Sequence, residues 1–308
     1  MTLDEPQEIT LICQDGVKLA GRRWIRKNGN EKETRVLCLH GWMDNCFTFN
    51  RLADGLLRKI PSSTGLDIVA LDLPGHGLSS HKSLDGPSVV LADFVYYMYD
   101  ALQSLNWETA NLTVVGHSMG SSVALMFAAA FPLGKLIMLD SLGPQTKPAD
   151  EISKSVLAHI KARIQGKPPS SVYPDLDTAI ETRCLTATVF PGNQYISRET
   201  AKALVERASI IREDGQLEFL HDQRLKWPSL LVLTDAQLDQ LYMDVASHPT
   251  ETCLLTAQDG MPFPPDSISR IRELLQPKVV ESLPGSHHFH ADPDTADAVV
   301  DTIVSFIS

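Results

Sequence analysis

Gly116-His117-Ser118-Met119-Gly120 is the stretch that decides the fold of this chain. Ahead of it, Leu112-Thr113-Val114-Val115 is a short β-branched, apolar run with the composition of a buried strand. Behind it, Ser121 to Phe131 is rich in Ala, Leu and Met and stops at Pro132, as a buried helix would. A serine between glycines at a strand-to-helix turn is a nucleophile elbow, in which a sharp turn strains the serine and lifts its hydroxyl above the sheet. The glycines are needed because side chains there would collide with the neighbouring strand or helix. Ser118 is the candidate nucleophile.

A serine hydroxyl is a weak nucleophile at neutral pH and needs a base within hydrogen-bond reach. Gly285-Ser286-His287-His288-Phe289-His290 follows the last apparent strand, and a loop there can swing over the sheet edge that carries the elbow. His287, closest behind Gly285, is the expected base. The base in turn needs a carboxylate to fix its tautomer. Asp259, in Gln258-Asp259-Gly260 straight after the Cys253–Ala257 run, is the expected acid, with Asp140 at the end of Lys135–Leu139 as its competitor. Asp235 is set aside, because Thr234-Asp235-Ala236-Gln237 has the form of a helix capping box. An oxyanion needs two donors, for which the amides of Met119 and Trp42 are placed. His40, Gly41, His117, Asp140 and His288 are expected to line the site. No Cys, Glu or further His joins the histidine cluster at zinc-ligand spacing, so no metal and no cofactor are expected.

Around this centre, apolar runs alternate with helical patterns. Val36–Leu39 and Ile68–Leu71 read as strands buried on both faces, while Phe47 to Ile60 and Leu91 to Trp107 have helical spacing. Gln14-Asp15-Gly16 marks a hairpin near the start, and Asn28-Gly29-Asn30 a further turn. Such alternation means a mostly parallel sheet with helices on both faces. It stops after Asp140 and resumes at Cys253. The intervening residues 143–250 hold helix-like segments at Ile152–Ile164, Leu176–Cys184 and Arg198–Ala208, and are expected to form a helical lid. The core is then 1–142 with 251–308. Val156, Leu157, Ile160 and Ile164, with Leu204 and Val205, have helical spacing and should be buried against the mouth of the site. Asp292-Pro293 should open a terminal helix, proline fitting its first position.

At 308 residues, with 43% hydrophobic content, the chain can build one large domain. A net charge of −11 argues against nucleic acid as a partner. No apolar run reaches membrane-spanning length, and the acidic start resembles no targeting peptide. Five scattered cysteines read as reduced, small hydrophobes, which makes a cytoplasmic location the expectation. Nothing fixes the oligomeric state.

His40-Gly41-Trp42, Asp72-Leu73-Pro74-Gly75-His76-Gly77, the elbow and Gly285-Ser286-His287 resemble, in order, the typical loops of α/β-hydrolases. The order Ser118, Asp259, His287 is also theirs. Within that superfamily, Leu139-Asp140-Ser141-Leu142-Gly143-Pro144, Tyr173-Pro174-Asp175-Leu176-Asp177-Thr178-Ala179 and the pair His287-His288 are most similar to the serine hydrolase-like group. The resemblance implies an α/β-hydrolase fold and a carboxylic ester hydrolase acting on a small apolar substrate through an acyl-enzyme. A C–C bond hydrolase or a small-molecule receptor on the same fold is the alternative.

Overall fold

The computed structural model describes residues 5–27, 33–83 and 90–308, so the turn expected at Asn28-Gly29-Asn30 lies outside the described residues. The chain opens with the antiparallel hairpin β1 (Gln7–Ile12) and β2 (Lys18–Arg26), closed over Asp15-Gly16 with Gly16 at φ 84°. Strand β3 (Glu33–Leu39) is followed by a 3₁₀ turn (Cys46–Phe49) and α1 (Asn50–Lys59). Then come β4 (Gly65–Leu71), α2 (Leu91–Leu105), β5 (Leu112–His117), α3 (Met119–Ala130) and β6 (Lys135–Leu139).

The segment after β6 contains α4 (Ile152–Gln165), β7 (Val172–Tyr173), α5 (Leu176–Thr188), α6 (Arg198–Arg207), β8 (Ser209–Ile211) and β9 (Leu217–Phe219). Its last helix is α7 (Asp235–Ser247). Strand β10 (Glu251–Asp259), α8 (Ser267–Leu274), β11 (Val279–Ser286) and α9 (Ala296–Ile307) complete the chain. Eight strands form one sheet in the order β1-β2-β4-β3-β5-β6-β10-β11, parallel from β4 to β11. The expected mostly parallel sheet with helices on both faces is therefore present.

The continuous apolar runs work because alternate residues serve opposite faces. From Val36-Leu37-Cys38-Leu39, Leu37 and Leu39 pack with Phe94 and Met98 of α2 and Val123 of α3. Val36 and Cys38 join Leu52 and Leu56 of α1 and Val300 and Ile303 of α9 on the other side.

The segment between β6 and β10 differs from its sequence reading in three respects. First, α7 is a core helix. Its Tyr242 and Val245 belong to the same apolar cluster as Leu125 and Met138, so the insertion ends before Thr234 and not at residue 250. The capping box does open α7, with Thr234 Oγ1 accepting from Gln237 N–H and Gln237 Oε1 from Thr234 N–H. Second, β7, β9 and β8 form a small antiparallel sheet that sequence did not reveal, because strands of two or three residues carry no periodicity. Third, α4 turns its polar side inward. Ser155 and His159 are its buried residues, held by Lys147 Nζ and by the Pro228 carbonyl, while Leu157, Ile160 and Ile164 are exposed. Leu204 and Val205 are buried, but in a separate cluster with Ala179 and Ile180 of α5 and not against the mouth of the site. At the C-terminus, α9 begins at Ala296, and Asp292-Pro293 lies in the turn before it.

Candidate functional site

Ser118 joins β5 to α3 with φ 51° and ψ −117°, a region an L-residue occupies only when its surroundings impose it. Those surroundings leave no room for alternatives. A Cβ on Gly116 would lie 2.5 Å from Gly120 O, and one on Gly120 only 1.9 Å from Leu39 O. Ser118 N–H donates to Leu139 O at 3.0 Å, fixing the elbow to β6. Met119 is the first residue of α3, where backbone amides have no acceptor within the helix and the dipole favours negative charge.

His287 follows β11 and is half-buried, with its backbone carbonyl accepting from His117 Nε2–H at 2.9 Å. Its Nδ1–H donates to Asp140 Oδ2 at 2.6 Å. Asp140, not Asp259, is thus the carboxylate on His287. Asp140 leaves β6 at φ 46°, is 1% exposed, and accepts two further bonds, from Ala257 N–H on Oδ1 (3.0 Å) and Met261 N–H on Oδ2 (2.9 Å). Asp259 ends β10 opposite Ser286, half-buried, and its carboxylate bonds to no described residue. The Asp-Gly signal marked the right loop for another reason. A Cβ on Gly260 would sit 2.4 Å from Asp140 Oδ2, so glycine lets the end of β10 fold over the acid. Among the described residues Ser118 Oγ makes no hydrogen bond to His287, a contact that in substrate-free sites often tightens only on binding.

The loop after β3 runs from His40 to Asp44. His40 is fully buried, its Nδ1–H donating to Gly41 O (2.7 Å) and its Nε2 accepting from Leu73 N–H (2.9 Å). Burial holds its pKa down at about 4, so it stays neutral and joins two loops without lining the mouth. Gly41 does border Ser118: a Cβ there would meet His117 Nδ1, Ser118 Cβ and Asp44 Oδ2 at 3.1–3.3 Å. The turn closes with Asp44 N–H on Gly41 O at 3.2 Å and carries Met43 at φ 63°. Trp42, between them, points its indole N–H at Leu225 O (3.2 Å).

His117 and His288, expected to line the site, are both buried. Burial, then the neighbouring histidines, holds His117 well below its usual pKa, so it is neutral. His288 Nε2–H donates to Asp44 Oδ2 at 2.9 Å, and Arg183 of α5 reaches Asp44 Oδ1 at 2.8 Å. Burial alone would raise the Asp44 carboxyl, but His288 and Arg183 more than offset it and hold the group well below the usual carboxylate range. Asp44, His117 and His288 bring three possible metal-donor atoms within 4.8 Å of one another, and the Arg183 guanidinium already supplies a positive charge to that carboxylate.

Comparison with known proteins gives this geometry a lineage. Residues 36–302 match the model of the alpha/beta hydrolase family. The chain belongs to that family. A serine hydrolase-like protein of Dictyostelium discoideum is 28% identical over 305 residues, covering 94% of this chain and 79% of its own length. One from Danio rerio is 29% identical, covering 92% of this chain and 84% of its own. The crystal structure of a hypothetical protein from Pseudomonas aeruginosa superposes with a TM-score of 0.82 at 32% identity, covering 98% of this chain and 99% of that one. The thioesterase domain from the curacin biosynthetic pathway shares the fold, with a TM-score of 0.76 at 21% identity over 99% of each chain. No helix among the described residues is long and apolar enough to cross a membrane.

Asp44 and Arg183 were missed at the sequence level. Asp44 lies two residues beyond the quoted His40-Gly41-Trp42 stretch, with no local partner to give it meaning. Arg183, 139 residues away on α5, carries no local signal at all.

Proposed function

We propose that the protein is a serine hydrolase of small carboxylic esters, working through an acyl-enzyme on Ser118. The observation that carries this reading is the pairing of a strained serine elbow with a histidine whose Nδ1–H is held by a buried carboxylate. That bond leaves His287 Nε2 as the free basic atom. Ser118 Oγ attacks the acyl carbonyl as Nε2 takes its proton, and the carbonyl oxygen becomes an anion facing the amides of Met119 and Trp42. Each such donor is worth about 2.7–4 kcal/mol to the transition state. Collapse expels the alcohol, which leaves with the proton from Nε2. Water, deprotonated by the same nitrogen, then attacks the acyl group, and the acid departs as Ser118 regains its proton.

In this reading Asp140 takes the orienting role expected of Asp259. It holds the tautomer and stabilises the imidazolium that forms. The segment from residue 143 to before Thr234 acts as the lid. Its α6 is tied to the core by Arg207, whose Nε bonds both oxygens of buried Asp72. All five cysteines are free, which supports a reducing, cytoplasmic setting.

The test is labelling with a fluorophosphonate followed by mapping of the modified residue. Label on Ser118, abolished in a folded Ser118→Ala protein together with an approximately 10⁶-fold loss of kcat, is the expected result. Undiminished esterase activity in that variant would remove Ser118 from the role.

A further inference from the structure

We propose that Asp44 is a positioning residue, which clamps lid helix α5 to the oxyanion loop and to the loop of the catalytic histidine. It rests on the hydrolase reading above for its catalytic consequence. The observation is the convergence on one buried carboxylate of four parts of the site. Asp44 is 3% exposed. Its own backbone N–H closes the turn that presents the Trp42 amide. Oδ1 takes the guanidinium of Arg183 from α5, and Oδ2 takes the Nε2–H of His288, the residue next to the base. Oδ2 also faces His117 Nδ1, of the residue next to the nucleophile, across 3.9 Å.

The hydrogen-bond directions make the arrangement specific. His117 Nε2 must carry its proton, because it can only donate to the His287 carbonyl. With His288 Nε2–H given to Asp44, the 3.3 Å approach of Arg183 Nη2 to that same nitrogen is proximity, not a second bond. Arg183 therefore depends on Asp44 for its charge partner. It is 19% exposed at its side chain, so the pair is largely withdrawn from water, where a charge-assisted bond is strong and an unpaired charge costly.

The clamp also explains why the turn can hold Met43 at φ 63°. A non-glycine residue persists there only when both ends of the turn are over-determined. One end is Gly41, fixed against Ser118 and His40; the other is Asp44. Releasing Asp44 would let the Trp42 amide drift from the oxyanion position while leaving Ser118, His287 and Asp140 intact.

The test compares Asp44→Asn, Arg183→Met and the double variant with the wild type. Three readouts are taken: kcat and KM on p-nitrophenyl butyrate, fluorophosphonate labelling of Ser118, and hydrogen exchange of the α5 amides. Asp44→Asn should lower kcat by about 10²-fold with KM little changed, the loss expected of a donor displaced by around an ångström. Adding Arg183→Met should cost little more, since both changes break one interaction. Exchange over α5 should speed up in all three variants. Wild-type kcat in a folded Asp44→Asn protein, losses that multiply, or unchanged α5 exchange would each overturn the proposal. If Asp44→Asn does not fold, Arg183→Met alone decides, through its kcat and α5 exchange. Failure of wild-type Ser118 to label would count against the hydrolase reading, and α5 exchange would still decide whether the clamp exists.

Discussion

Strands β6 and β10 lie side by side in the sheet, and an aspartate directly follows the first and ends the second on the edge that carries Ser118. Asp140 is sealed at 1% exposure and collects three N–H donors, from Ala257, Met261 and His287. Asp259 is half-buried and collects none from described residues. The difference does not lie in proximity along the sheet, because β10 is nearer to β11 than β6 is. It lies in backbone direction. Asp140 turns into the left-handed region at φ 46° as it leaves the strand, and the bulge between Ala257 and Asp259 lets β10 wrap around it. A strand-end carboxylate becomes a partner for histidine when the next strand supplies donors to hold it.

Replacing the two acids in turn is the most direct way to break this comparison. Asp140→Asn keeps the volume but lets the side chain offer N–H where His287 Nδ1–H needs an acceptor. The wrong tautomer then follows, and kcat for ester hydrolysis should fall by about 10⁴-fold. Circular dichroism should show the fold retained. A kcat within a few-fold of wild type would show that His287 is oriented by something else.

A smaller effect should come from the residue that lets the strand end fold over the acid. Gly260→Ala places a methyl 2.4 Å from Asp140 Oδ2, a distance at which backbone or carboxylate must move. Movement of around an ångström at the acid predicts a loss of about 10²-fold in kcat. If Gly260→Ala is as active as wild type, the end of β10 can slide without disturbing His287, and the donors from Ala257 and Met261 matter less than their geometry suggests.

What sequence could and could not show follows the same division. The elbow turn, the His40-Gly41-Trp42 stretch and the place of His287 after the last strand were legible because strand, turn and helix signals lie within a dozen residues of each other. The core strands were legible for the same reason, as runs buried on two faces. The choice between the acids was not, because the donors that hold Asp140 are 117 and 121 residues away from it. The limits of the insertion failed similarly. The Thr234 capping box correctly marked where α7 begins, but only its packing beside Leu125 and Met138 shows that α7 belongs to the core. In α4 the pattern itself misled, since the apolar spacing was real but the buried contacts are made by Ser155 and His159.

The sharpest form of the comparison is the change that should do almost nothing. Asp259→Asn alters the residue that sequence spacing alone favours, directly before Gly260 and one strand from the base. Its carboxylate bonds to no described residue, so no donor is orphaned when the charge is removed, and none of the mechanisms behind large destabilisation applies. Its backbone still pairs β10 with β11 at Ser286, and asparagine preserves that. Stability should therefore stay within about 0.5 kcal/mol of wild type, and kcat should be essentially unchanged. Urea unfolding and steady-state kinetics on the same p-nitrophenyl ester check both. Were Asp259→Asn to lose activity on the scale expected for Asp140→Asn, His287 would have to exchange partners during turnover. The two strand ends would then share the acid's role, although only Asp140 hydrogen-bonds His287 in the structure.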